Sequence, residues 1–245
     1  MIYTYDSTFE GLLTAVYEAY YRRENPEKIL RGNYLQHSLL NQVLHIPTDP
    51  EKAGKVYDSI RTKISGQALE HVYYAYLSDF DDAGTCIYQY LKLGWKMGRR
   101  IDSHLSDDRV LKIHNMSYKV GGEKHRMLGL LRFRQLSGEL YYAPMEPTYN
   151  ILPIVAPHFS ERLADQNWVI HDVKRRLAAV YNKRSWVLTE LDANQYMAGN
   201  DDELIYQDLW KRYFESIAIR SRVNPRLQRQ HMPKKYWKYL VEKNG

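Results

Sequence analysis

Four short apolar stretches in the second half of the chain, at 140–143, 168–171, 177–181 and 186–189, constrain the fold more than any other feature. Each has strand length and carries β-branched or aromatic residues, and Asn182-Lys183 reads as one of the turns between them. Residues 127–134 read as a further strand ahead of them, with Leu131 and Phe133 pointing one way and Arg132 and Arg134 the other. Ser137-Gly138 then supplies a hairpin turn into Leu140. A short helix near 153–163 interrupts the series. Strands that follow one another by short turns are antiparallel, and helical patterns lie on both sides of these. The expectation is an α+β fold, an antiparallel sheet of about five strands or more with helices before and after it, and not a doubly wound sheet.

The flanks carry their own signals. Residues 2–5 form a brief strand, and Ser7-Thr8-Phe9-Glu10 has the form of a capping box with Ser7 at the N-cap. Phe9, Leu12, Leu13, Val16, Tyr17 and Tyr20 follow at helical spacing as one buried face. A second strand is expected at 42–46, and Asp49-Pro50-Glu51 starts a helix whose apolar face holds Val56, Tyr57, Ile60 and Ile64. Further helices are expected at 67–77, 81–97 and 107–120, the last with Val110, Leu111, His114 and Tyr118 on one side. Gly121-Gly122 reads as a helix end or hinge. Toward the end, Asn200 opens a helix with Tyr206, Leu209, Trp210, Tyr213, Phe214 and Ile217 on a core face. Asn224-Pro225 breaks it, and Pro233 starts a last helix carrying Tyr236, Trp237 and Leu240. The chain divides on this reading into a strand-plus-helices subregion, 1–84, and a core domain, 85–245, which together can also make one compact unit.

Several function classes drop out. The 245 residues are 44% hydrophobic and 26% charged, a globular composition. No run approaches the roughly 18 apolar residues of a membrane span. The first residues hold neither a basic nor an apolar segment, so no secretory signal is expected there. The single cysteine, Cys86, excludes an internal disulfide, a multi-cysteine zinc site and an iron–sulfur cluster held by this chain alone, and suits a reducing cytoplasm. Phosphate-binding glycine loops, the H-E-x-x-H helix and the G-x-S-x-G elbow are missing. The nine histidines form no H-x-H or H-x3-H pair, so no metal and no cofactor is expected.

Charge is what the chain concentrates. The net charge is +6, yet residues 206–245 hold ten basic groups against three acidic, and residues 92–134 hold eleven against four. Focused positive charge suits a polyanion, because neutralising phosphates releases condensed counterions. The candidates for such contacts are Arg126, Arg132 and Arg134 in the first block and Arg220, Arg222, Arg226, Arg229, Lys234, Lys235 and Lys238 in the second. The same blocks can instead be solvated helix faces, and the Arg132/Arg134 stripe can be salt-bridged to a covering helix. Tyr236 and Trp237 read as core anchors before base-stacking platforms. Glu123 and His125, at the expected helix-to-strand junction, are candidates for proton transfer, with His158 or His171 assisting.

The ordered residues Glu123-x-His125-Arg126-Met127-x-Gly129-x-x-Arg132-Phe133, Tyr142-Ala143, Pro147, His158-Phe159, Arg162-Leu163 and Trp168-x-Ile170 carry a resemblance, together with Leu209-Trp210-x-x-Tyr213, Arg222-x-Asn224-Pro225 and the run from Met232 through Trp237. The chain resembles the bacterial probable DNA metabolism protein family, closely from about residue 85 onward and more loosely before it. The core domain of that family also occurs fused to uracil-DNA glycosylase-like domains, and its stand-alone form neighbours a putative DNA modification or repair radical SAM protein. The resemblance implies DNA and a radical SAM protein as partners, and lends no catalytic residues. Three functions follow as expectations: a DNA-binding accessory protein acting with a radical SAM partner, a nucleic-acid-processing enzyme using Glu123 and His125, or a purely protein-binding partner of the radical SAM enzyme.

Overall fold

The computed structural model describes residues 1–32, 42–136, 140–191 and 229–241. The helix expected from Asn200, its aromatic face and the break at Asn224-Pro225 lie outside the described residues. The chain forms two compact units, Met1–Gly121 and Gly122–Gly245. Residue 84 lies near the start of a helix within the first of them.

In the first unit, strand β1 (Ile2–Tyr5) is central, flanked by β2 (Lys28–Arg31) and β3 (Val43–His45), both parallel to it. Helix α1 (Phe9–Tyr21) carries the chain from β1 back to the start of β2, which makes that pair parallel. All four residues of β1 are buried, as a strand covered on both faces must be. The cap of α1 is Thr8, one residue later than the capping-box spacing implies: its Oγ1 accepts the Gly11 N–H at 2.9 Å, while Ser7 takes a positive φ of 70°. Helix α2 (Pro50–Ser59) begins where expected, with Asp49 accepting the Glu51 and Lys52 N–H groups at 3.0 and 3.1 Å. A π-helical turn (Ile60–Ile64), α3 (Gly66–Leu77), α4 (Ala83–Met97) and a 3-10 turn (Gly98–Ser103) complete the unit's helices ahead of α5. Leu12, Val16, Ile29, Ile60, Val72, Ile87 and Leu91 pack into its core. Four residues assigned from periodicity to apolar faces are exposed instead: Tyr20, Tyr57, Leu111 and Tyr118.

Helix α5 (Asp108–Leu130) runs straight through Gly121-Gly122, so the expected helix end and the expected strand at 127–134 both give way. The reason is visible in burial: Ile113, Met116, Val120, Glu123, Met127 and Leu130 form one unbroken stripe at three- and four-residue spacing. That continuous face outweighs the roughly 1 kcal/mol that each helical glycine costs. Only Arg134–Gln135, strand β4, pairs as strand.

Among the described residues the sheet of the second unit has five strands in the order β4-β5-β6-β7-β8, with β5 Leu140–Met145, β6 Asn167–Asp172, β7 Leu177–Asn182 and β8 Trp186–Glu190. Three of its pairings are antiparallel, including the β4/β5 hairpin and the β6-β7-β8 meander with its turn at Asn182-Lys183. The β5/β6 pair is parallel, which corrects the all-antiparallel expectation. Helix α6 (Leu152–Arg162), which reads in sequence as an interruption, is the crossover that makes it so. One face of the sheet buries Tyr142, Val169 and Ala178. The other holds Trp168, stacked on Tyr181 at 5.1 Å and edge-on to Phe133. The last described element is a 3-10 turn, Lys234–Tyr239, in place of a full helix. Among the described residues no helix is long and apolar enough to cross a membrane.

Candidate functional site

The chemistry of the second unit gathers around residues 146–149, just beyond β5. Glu123 reaches this segment from α5, where its place on the apolar stripe leaves it only 1% exposed. Its Oε1 accepts the Thr148 N–H at 2.9 Å and the Lys235 ammonium at 2.8 Å, and its Oε2 accepts the Tyr149 N–H at 2.8 Å. The Tyr236 hydroxyl donates to Oε1 as well. Arg175 grips the segment from the other end, donating to the Pro147 and Thr148 carbonyls at 3.2 and 2.8 Å. Glu146 accepts from Lys238 at 2.6 Å and from the Tyr239 hydroxyl.

Burial alone would push the Glu123 carboxyl up, but Lys235, Tyr236 and the two backbone N–H groups together hold it below its ordinary value. It is therefore a carboxylate with its acceptors filled from inside the unit. His125, two residues along α5, is exposed and points away, because residues two apart on a helix do not share a face. His158 is half-buried on α6, its ring edge-on to Phe159 at 5.1 Å. His171 is fully buried: Nε2 contacts the Leu191 carbonyl at 3.1 Å and so carries the proton, leaving Nδ1 to accept from the Tyr142 hydroxyl at 2.7 Å. The contacts of these four candidates do not bring them together around a common centre.

Three of the ten basic candidates share a pocket. Arg132 and Arg134 from the first charge block and Lys238 from the second line one pocket of about 130 Å³, with Phe133, Pro144, Tyr239 and Val241 completing its walls. Arg132 also donates to the Gly129 and Leu131 carbonyls at the end of α5, at 2.9 and 3.2 Å. Arg134 lies 5.0 Å over the Tyr142 ring, has no ion pair among the described residues, and keeps a buried Nε without a hydrogen-bond partner. Arg126 acts on the Tyr236 phenol instead of the pocket, and Lys235 is taken by Glu123. Lys234 lies over the Trp237 ring, and Arg229 is exposed. Arg220, Arg222 and Arg226 lie outside the described residues. The pocket offers guanidinium donors beside two aromatic rings, the set that holds a phosphate next to a flat ring, while its Lys238 ammonium is paired with Glu146. Among the described residues no group of three or more histidines, cysteines or carboxylates is placed to hold a metal ion.

Asp172, buried at the end of β6, titrates in the opposite sense to Glu123. Burial raises its carboxyl, and Arg175, at 2.9 Å, only partly offsets this. A raised folded-state value favours folding below the unfolded value of about 3.9 and loses that advantage as pH rises through the folded one. The urea midpoint of the wild type is therefore expected to fall relative to that of Asp172→Asn as pH rises from about 4 toward neutrality. A difference that stays constant over that range would show that folding leaves this carboxyl unperturbed.

A mixed α+β chain with a cationic, aromatic-walled pocket is the class that fold and site define. Residues 81–242 match the family described as a domain of unknown function, DUF4130, and the chain belongs to that family. The matched span runs through α4, α5, the five-stranded sheet and the C-terminal turn. No curated protein and no solved structure matches the chain.

Proposed function

We propose that this protein is a DNA-binding accessory factor in DNA repair or modification that acts with a radical SAM partner in the cytoplasm. One observation carries the DNA half of the reading. Arg132 and Arg134, about a hundred residues before Lys238 in sequence, share a pocket with it, and Arg134 has no carboxylate to neutralise it among the described residues. Phe133 and Tyr239 in the same walls suit a sugar or base beside the bound phosphate. The radical SAM half rests on the family resemblance: such an enzyme needs three cysteines for its cluster, which this single-cysteine chain leaves to another protein.

The test is a salt titration of DNA binding by the full chain and by the Arg132→Gln/Arg134→Gln variant. The wild type is expected to bind with log affinity falling linearly against log salt, and the double variant to bind more weakly with a slope shallower by about 1.4 to 1.8. Binding that ignores salt, or a variant with wild-type slope, overturns the DNA reading. Co-purification with a radical SAM protein that survives nuclease treatment, alongside absent DNA binding, would replace it with the purely protein-binding one.

A further inference from the structure

The first unit exposes an aromatic cluster that the pocket of the second does not involve. Tyr17, Tyr20 and Tyr21 project from the last turns of α1, Lys55, Val56 and Ser59 from α2, Lys63 from the π-helical turn, and Trp95 from α4. Together they line a recess of about 250 Å³. Tyr20 is 55% and Tyr21 66% exposed, far more than a packing role leaves open. Single exposed aromatics are ordinary, but a contiguous patch marks a contact surface. The rings hold one another in place: Tyr17 stacks on Tyr21 at 4.2 Å, Tyr20 meets Trp95 edge-on at 5.3 Å, and the Trp95 indole N–H donates to the Ser59 hydroxyl at 3.1 Å.

Charge chooses the ligand. Lys63 has no partner among the described residues, and Lys55 holds only Glu51, an exposed i,i+4 pair that exchanges readily with a stronger anion. Among the described residues no acidic side chain lines the recess, so a quaternary ammonium, the usual guest of an aromatic cage, is repelled by its lysines. A plain hydrocarbon would leave the lysines unused. A flat ring bearing an anion uses both parts of the recess. Its volume lies just below the roughly 300–1,000 Å³ of sites that enclose whole small ligands, which suits one unit of a longer molecule.

We infer that this recess is a stacking site for a nucleobase carrying a phosphate, taking an unpaired base from a DNA strand against Tyr20, Tyr21 and Trp95 with Lys55 and Lys63 on its phosphate. The strand as the source of the base rests on the DNA-binding reading; the base-plus-phosphate chemistry stands on the recess alone. A base must leave the duplex stack to reach such a site, so the preferred substrate is single-stranded or carries an extrahelical base.

The experiment measures binding of a labelled oligothymidylate, of a duplex of equal length and of dAMP to the full chain, the first two by anisotropy and dAMP by quenching of tryptophan emission. The oligothymidylate is expected to bind more tightly than the duplex. Tyr20→Ala is expected to weaken it about tenfold, in line with the loss of one stacked base, and Lys63→Gln to make its salt dependence shallower by about 0.7. Both side chains are exposed, so folding is untouched, and an unchanged thermal midpoint checks it. Trp95→Phe keeps a stacking ring and should abolish the quench by dAMP. If dAMP quenches but Tyr20→Ala leaves oligothymidylate binding unchanged, the strand is overturned as the source and a free nucleotide takes its place. If neither dAMP nor the oligomer responds to these variants, the site itself is overturned, while the arginine double variant continues to test the DNA reading separately.

Discussion

Glu123→Ala is expected to lower the unfolding free energy by about 2–4 kcal/mol, because each donor left without its acceptor costs about 1–3 kcal/mol and the exposed ones regain water. The deletion strands two backbone N–H groups, of Thr148 and Tyr149, together with the buried Tyr236 hydroxyl and the Lys235 ammonium, which lose a common acceptor. The segment that carries the two N–H groups is also held by Arg175, through the Pro147 and Thr148 carbonyls. Lys235, nearly half exposed, can return to water, which keeps the cost from rising further. Glu123→Gln retains an acceptor and should cost less than the alanine. The depressed carboxyl adds a pH signature: its contribution is fully present above the unfolded value of about 4.3 and is lost as pH falls through the lower folded one. The wild type should therefore lose stability in acid more steeply than Glu123→Gln. Urea midpoints for the three proteins across acid and neutral pH decide the matter, and a loss under about 1 kcal/mol for the alanine would demote Glu123 to a bystander.

Gly84→Ala is expected to destabilise by about 3 kcal/mol, although alanine is the better helix former by about 1 kcal/mol. A Cβ at Gly84 would stand 2.5 Å from the Ile29 carbonyl oxygen and 3.3 Å from a Leu12 methyl. The obstructing atom is backbone in β2, which α4 approaches closely enough for the Thr85 hydroxyl to accept the Ile29 N–H at 3.0 Å. Neither element can yield without opening the core around Leu12 and Ile29. Gly54 in α2 provides the control, since a Cβ there meets nothing within 4 Å. Gly54→Ala should stabilise by roughly 0.5–1 kcal/mol. Opposite signs for one substitution on two helices would be read directly from paired denaturant curves. Equal signs would mean that propensity, and not the close approach, governs Gly84.

How much of this was legible beforehand differs from one residue to the next. The start of α2 at Asp49-Pro50, the β6-β7-β8 meander and its Asn182-Lys183 turn follow from residue types acting on their immediate neighbours, and they stand where the sequence puts them. Strand β2 went unread because its four residues carry no alternation that separates them from a loop. Gly121-Gly122 read as a break because propensity is local, whereas the stripe from Ile113 to Leu130 that overrides it is satisfied by packing. Glu123 itself was legible as chemistry but not as structure: its spacing from Val120 and Met127 places it on that stripe, and the donors that make burial tolerable come from residues 25 to 113 positions away.

The tyrosines of α1 show the same boundary from the other side. Their spacing marks a helix, and periodicity assigned Tyr20 to its covered face, yet Tyr20 stands open beside Trp95. By itself the sequence determined many of the local elements, several caps and turns, and the two concentrations of positive charge, because each depends on neighbours a few bonds away. The tertiary structure alone decided that β5 and β6 run parallel, that Arg132, Arg134 and Lys238 line one pocket while Lys235 pairs with Glu123 and Lys238 with Glu146, and which aromatic rings are left uncovered. Those outcomes depend on what packs against a face, and periodicity reports only that a face exists.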